Sequence, residues 1–89
     1  MIRVYANGSG SEDMNQLFIE KVEVDDEIKC QFDQEKGFID FTPLEDESLI
    51  GQPVEYYKNG AFKKFYKFDG VTNTEHGKVL NMGDVKKIK

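Results

Sequence analysis

The chain has 89 residues, of which 38% are hydrophobic and 33% are charged, with 7 Phe, 4 Tyr and a net charge of −5. This length predicts one domain, residues 1–89, with one modest core, and the aromatic content excludes a disordered segment. The sequence has no apolar run long enough for a membrane span and no signal-peptide pattern at its start. We therefore expect a cytoplasmic protein that does not enter a membrane.

Charge is divided unevenly along the chain. Residues 1–53 contain 4 Lys and Arg against 13 Asp and Glu, a net charge of −9, whereas residues 54–89 contain 8 Lys against 4 Asp and Glu, a net charge of +4. This asymmetry indicates either attraction between the two halves across a sheet, which we favour, or a charged partner for one of them.

Alternation of apolar and polar residues predicts strands in the first part of the chain. A loop rich in glycine and serine (7–11, NGSGS) follows the first strand, and Gly37 suits the turn between the last two. Alternation places Cys30 on the same side of its strand as Ile28 and Phe32, so we expect a buried and unreactive thiol. The predicted strands are 2–6 (IRVYA), 16–24 (QLFIEKVEV), 28–33 (IKCQFD) and 38–42 (FIDFT).

One short helix is predicted near residues 43–50. Thr42 is a capping residue, and Pro43 suits the first helical position. Glu45 stands three residues after Thr42, as in a capping box, and Gly51 is placed to end the helix. The helix interrupts a sequence that otherwise predicts strands.

Residues 55–68 (EYYKNGAFKKFYKF) predict a β-hairpin. Its tip is the Asn59-Gly60 pair, because both central residues of a type I′ turn have positive φ. From this tip a regular register pairs Tyr57 with Phe62, Tyr56 with Lys63 and Val54 with Phe65.

The two faces of this hairpin differ in composition. The face with the larger apolar area is expected to contact the core. The other face is a candidate contact surface, because aromatic rings suited to stacking on bases lie among lysines suited to phosphates. Lysines on an edge strand also prevent aggregation, which is an alternative reason for them. The predicted core face carries Tyr57, Phe62, Tyr66 and Phe68, and the candidate contact surface carries Tyr56, Lys58, Lys63, Phe65 and Lys67 around Val54.

The remainder of the chain predicts further strands. A turn at Asp69-Gly70 precedes two short apolar segments, 78–80 (KVL) and 84–88 (DVKKI), which predict one or two closing strands. With six or seven short strands and one short helix, the sequence predicts a mainly β fold, a small antiparallel β-barrel or rolled sheet.

No pattern in the sequence is typical of catalysis, of metal binding or of a phosphate-binding loop. His76, the single histidine, lies in a polar loop and is expected to be solvated. One His and one Cys do not complete a zinc site, and the acidic clusters lack the spacing of a calcium loop. We therefore expect no enzyme activity, no cofactor and no bound metal.

A run of carboxylates in residues 20–27 is the second candidate surface. These side chains are suited to a basic surface on another protein, and they are also compatible with the solvated end of a hairpin. The candidate protein-binding residues are Glu20, Glu23, Asp25, Asp26 and Glu27.

The resulting hypothesis is a small, acidic, non-enzymatic protein that binds another protein, as an inhibitor or modulator encoded by a mobile element. One alternative is a module that binds single-stranded nucleic acid through the hairpin, residues 54–68. The other is a structural subunit of a larger assembly, including a homo-oligomer.

Overall fold

The computed structural model describes residues 1–7, 19–75 and 77–84. The fold is mainly β, as the sequence predicts, and its seven strands form one curled sheet with the shape of a half-barrel. The strands are β1 (Ile2–Ala6), β2 (Ile19–Val24), β3 (Glu27–Asp33), β4 (Phe38–Ile39), β5 (Pro53–Lys58), β6 (Ala61–Thr74) and β7 (Gly77–Asp84). Predictions for residues 8–11, 16–18, 76 and 85–88 lie outside the described residues.

The strand order is β4-β3-β2-β1-β5-β6-β7, which places β1 at the centre. β1 pairs with β5 in parallel, whereas the other neighbouring strands are antiparallel. This one pairing differs from the predicted antiparallel sheet. It arises because the chain crosses from β4 over the core before it returns beside β1, and parallel neighbours need such a crossover.

The crossover segment is not the continuous helix predicted near residues 43–50. It forms two separate 3₁₀ turns, Thr42–Leu44 and Glu47–Leu49. Each turn buries one side chain in the core, Leu44 in the first and Leu49 in the second. The segment therefore covers the core with two short turns.

Side-chain contacts at the start of each turn explain why a longer helix does not form. The hydroxyl of Thr42 donates to the Asp40 carboxylate (2.6 Å) instead of capping a helix, and the Asp46 carboxylate accepts the backbone N–H of Ser48 (2.9 Å). Such local contacts compete with continuous helical hydrogen bonding. Hydrogen bonds from Thr42 and Ser48 also lower the pKa values of Asp40 and Asp46 from their ordinary range.

The predicted Asn59-Gly60 tip is confirmed, since both residues have positive φ (52° and 82°). Tyr57 pairs with Phe62, also as predicted, but a β-bulge follows this pair and Tyr56 lies opposite Lys64. The predicted pairings of Tyr56 with Lys63 and of Val54 with Phe65 are therefore wrong, because a bulge inserts one extra residue in the second strand.

The burial predicted for β5 is reversed. Val54 is fully buried and Tyr56 is 7% exposed, whereas Phe62 on β6 is 46% exposed. Val54 and Tyr56 lie beside the buried Ile2 and Val4 of β1, and this neighbour decides which face of β5 contacts the core. For β6, buried Phe68 and exposed Phe65 are confirmed, and Tyr66 packs against the core.

The turn predicted at Asp69-Gly70 is wrong. β6 continues through these two residues to Thr74, and they lie at an irregularity in its pairing with β7, between Phe68 and Val71. A bulge of this kind uses turn-forming residues without ending the strand.

The core lies on one face of the sheet, beneath the two 3₁₀ turns. Cys30 is buried in it as predicted, and burial raises the pKa of its thiol to about 12. Ile28, predicted on the same side, is 52% exposed, because a bulge between the two residues moves it to the other face. Lys78 of β7 pairs with Glu45 of the crossover segment (2.8 Å), an ion pair that joins the basic and acidic halves of the chain. The fully buried larger side chains are Phe41, Phe68, Ile2, Leu44, Leu80, Val4, Val22 and Val54.

Candidate protein-binding surface

The face of the sheet opposite the core, here the outer face, carries two rows of side chains across five strands. The strand registers place one residue of each row on each of β3, β2, β1, β5 and β6. The tyrosine row is Gln31, Lys21, Tyr5, Tyr57 and Phe62, and the arginine row is Ile28, Glu23, Arg3, Glu55 and Phe65, each in that strand order.

Four aromatic rings on this face form a continuous chain of contacts, the outer aromatic cluster: Tyr5, Tyr57, Phe62 and Phe65. The rings of Tyr5 and Tyr57 stack with centroids 5.0 Å apart and planes at 15°. Phe62 meets Tyr57 edge to face at 5.7 Å, and Phe65 meets Phe62 at 5.0 Å. Because Phe62 and Phe65 are 46% and 48% exposed, the cluster presents a contiguous apolar surface to solvent.

The bulge brings Phe62 and Phe65 together. Residues three apart normally lie on opposite faces of a strand. The extra residue, Lys63, changes this alternation, so Phe62 lies opposite Tyr57 and Phe65 lies opposite Glu55 on the same face. The contact between the two phenylalanines is therefore a consequence of the bulge.

The charged groups beside the cluster are paired with each other. Arg3 donates from Nε to Glu55 Oε1 (2.9 Å) and from Nη1 to Asp26 (2.9 Å). Lys21 lies 3.5 Å from Glu23, and its ammonium group lies 4.7 Å from the centre of the Tyr5 ring. The outer face is therefore close to neutral where the rings lie.

The two tyrosine hydroxyls join this network. Tyr5 donates to Glu23 (3.2 Å) and Tyr57 donates to Glu55 (3.1 Å). The hydrogen bond from Arg3 lowers the pKa of Glu55, and the hydrogen bond to Glu55 raises the pKa of Tyr57. Burial, followed by the charge of Glu23, raises the pKa of Tyr5. These contacts fix the orientation of both rings.

The predicted contact surface on the hairpin does not form one group. The exposure predicted for Tyr56 is wrong, since this side chain is buried and meets Tyr66 edge to face at 5.7 Å on the core side. Phe65 is exposed, but it belongs to the outer aromatic cluster. Of the lysines, Lys63 is exposed, Lys58 is half-buried, and Lys67 is exposed with its ammonium group 4.0 Å from Asp69.

The predicted acidic surface is spread over the length of β2. Glu20 is exposed near one end of the strand and Asp25 follows the other end, a separation of about 16 Å at about 3.3 Å per residue. The Asp25 carboxylate accepts a hydrogen bond from the Met1 amino group (2.9 Å), and Glu27 forms an ion pair with Lys29 (3.2 Å). Glu23 and Asp26 contact the network beside the outer aromatic cluster. The role of these carboxylates in protein binding stays a prediction.

The sequence does not indicate that Arg3, Tyr5, Tyr57 and Phe62 belong to one surface. They lie on three different strands, and no local pattern indicates that β1 pairs with β5. The Asn59-Gly60 signal correctly predicted that Tyr57 lies opposite Phe62, so this contact of the cluster could be predicted from the sequence.

The outer face offers rings, hydroxyls and paired charges, which are groups suited to non-covalent contact. Within the described residues, no group of three or more His, Cys, Asp or Glu side chains is placed to hold a metal ion. That part of the chain also contains no helix with the length and apolar character needed to cross a membrane. Comparison with protein-family models, with curated proteins and with solved structures gives no match to this chain.

Proposed function

We propose that this chain is a non-enzymatic binding protein that contacts another protein through the outer aromatic cluster. The observation that carries the proposal is the contact between the exposed Phe62 and Phe65 on a sheet face where Arg3 and Glu55 are paired with each other. Aromatic residues concentrate binding energy at protein interfaces, and contiguous exposed apolar patches mark such interfaces. Cytoplasmic location and a role as inhibitor or modulator belong to the proposal and derive from the sequence alone.

Two features favour a protein over a single-stranded nucleic acid as the partner. Bases stack on ring faces, but Tyr5 and Tyr57 stack on each other and Phe62 meets Tyr57 edge to face. Phosphate binding requires available cations, whereas Arg3 and Lys21 lie against carboxylates and the whole chain carries a net charge of −5.

The test is affinity purification from native cells with the full chain as bait. We expect wild type to recover a protein, with or without nuclease, and the double variant Phe62→Ser/Phe65→Ser to lose it. Phe38→Ser is the matched control, because Phe38 is also an exposed phenylalanine (55%) but lies on β4. Circular dichroism and thermal melting show whether each bait is folded.

Two outcomes contradict the proposal. Recovery that disappears with nuclease and falls steeply with salt supports the nucleic-acid alternative. Recovery of the same protein by the folded double variant excludes the outer aromatic cluster as the contact surface.

A further inference from the structure

We infer that the partner at the outer aromatic cluster is a second copy of this chain, packed outer face to outer face about a twofold axis that runs across the strands between the two rows. The inference rests on the proposed function, because it names the occupant of the same surface. It follows from the self-complementarity of the two rows.

Such an axis turns the tyrosine row of one copy onto the arginine row of the other. Each strand then faces its own equivalent, with the two positions exchanged, as in an isologous interface. On β2, Lys21 faces Glu23 of the second copy. On β1, the Tyr5 ring faces the Arg3 guanidinium, an arrangement typical of cation–π contacts.

The other strands are complementary in the same way. On β5, the Tyr57 hydroxyl faces the carboxylate of Glu55. On β6, Phe62 of each copy faces Phe65 of the other, so the four exposed rings cover one another. Every facing pair is therefore a cation with a carboxylate, a cation with an aromatic ring, a hydrogen-bond donor with an acceptor, or two apolar groups, apart from Gln31 and Ile28 on β3.

The alternative twofold axis, parallel to the strands, is unfavourable. An axis of this kind over β1, the middle strand of the two rows, turns the arginine row onto itself. Arg3 then faces Arg3 of the second copy, and Glu23 faces Glu55. Like charges placed opposite each other oppose association. The charge pattern thus selects one of the two face-to-face arrangements.

The curvature of the sheet limits the strength of this dimer. The outer face is the convex side of a half-barrel and curves away from strand to strand, so contact extends over only a few neighbouring strands. Small interfaces of this kind belong to weak or transient complexes. We therefore expect a reversible dimer that dissociates on dilution.

The test is sedimentation velocity on the purified full chain at concentrations from about 1 µM to about 1 mM, the range in which small interfaces dissociate. We expect a shift from monomer to dimer in wild type. Phe65→Ser and Lys21→Glu should remain monomeric at concentrations at which wild type is dimeric. Phe38→Ser and Lys36→Glu are the matched controls, since both residues are exposed and lie outside the two rows, and they should dimerise like wild type.

A charge exchange tests the axis itself. In the double variant Lys21→Glu/Glu23→Lys, positions 21 and 23 still carry opposite charges, so the variant should dimerise with itself. In a mixture with wild type, the facing positions carry like charges, and mixed dimers should be depleted. Energy transfer between differently labelled chains measures the mixed species.

A wild-type chain that is monomeric throughout this range overturns the inference, as does a dimer unaffected by Phe65→Ser or one that mixes freely with the exchange variant. None of these results by itself contradicts the proposed function, which affinity purification tests. If the chain is monomeric but still recovers a different protein through Phe62 and Phe65, only the second copy as partner is contradicted. If the chain neither dimerises nor recovers a protein through these residues, both proposals are contradicted.

Discussion

The hairpins β2–β3 and β5–β6 have the same backbone design but different surfaces. Both have a two-residue tip with positive φ, Asp25-Asp26 in one and Asn59-Gly60 in the other. In both, two regular pairs follow the tip, and the next pair skips one residue of the second strand, Lys29 or Lys63. The two hairpins flank β1, one pairing through β2 and the other through β5.

Backbone and side chains have separate roles in these two hairpins. On the outer face, the positions of Phe62 and Phe65 in the second hairpin correspond to Ile28 and Gln31 in the first. The same bulge therefore brings together two phenylalanines in one hairpin and an aliphatic and a polar residue in the other. The candidate surface arises from the aromatic residues, while the bulge supplies the geometry that unites them.

The largest effect expected concerns the adjacent tyrosines of β5. Tyr56→Ala should lower the free energy of unfolding by about 3 kcal/mol or more, because a buried aromatic side chain is removed and a cavity remains. Tyr57→Ala should cost less than about half of this, because Tyr57 lies half-buried on the outer face. Denaturant titrations of both variants measure the difference. Equal costs, or a larger cost for Tyr57→Ala, would contradict the assignment of faces.

An exchange of turn residues between the hairpins should have a smaller effect. Gly60→Asp should destabilise the chain by about 1 kcal/mol, since φ at this position is +82° and only glycine adopts such angles without strain. The reciprocal change, Asp26→Gly, should not destabilise it, because relief of strain at φ 68° offsets loss of the exposed ion pair with Arg3. Thermal melting gives the sign of each effect, and a stabilising Gly60→Asp would refute the shared turn geometry.

The smallest expected effect is a pH dependence carried by Glu55. Arg3 contacts both hairpins, through Asp26 and through Glu55, and its hydrogen bond lowers the pKa of Glu55 from the ordinary value of 4.5. A carboxyl with a lowered pKa stabilises the folded state above its ordinary pKa, and this contribution is lost as the pH falls through the folded value. Glu55→Gln should therefore destabilise the chain at pH 7 and much less at about pH 3.

Denaturant titrations at the two pH values measure this dependence. Glu35→Gln, which removes one negative charge from the exposed loop between β3 and β4, is the control. A difference between wild type and Glu55→Gln that is the same at both pH values would show that the Arg3–Glu55 pair does not contribute to stability.

Local patterns predicted the elements better than their contacts. The Asn59-Gly60 tip, the strand around Cys30 and the mainly β composition follow from residues close together in the sequence. The helix near 43–50 was wrong although the capping pattern was present, because Asp40 and Asp46 bind the backbone at the start of each turn. Competing short-range hydrogen bonds of this kind are not visible in a capping motif alone.

The sequence by itself determined the β content, the position of the β5–β6 tip and the two-sided alternation of β5. Only the tertiary structure decided which side is buried. Alternation defines two faces, but burial depends on the strand that pairs next, and β1 places Ile2 and Val4 beside Val54 and Tyr56. A bulge then changes the phase of β6 and moves Phe62 and Phe65 onto one face. A single inserted residue exchanges the two faces of a strand, and the pairing of β1 with β5 places Tyr5 beside Tyr57. The outer aromatic cluster therefore depends on a bulge and on non-local pairing, and alternation along the sequence indicates neither.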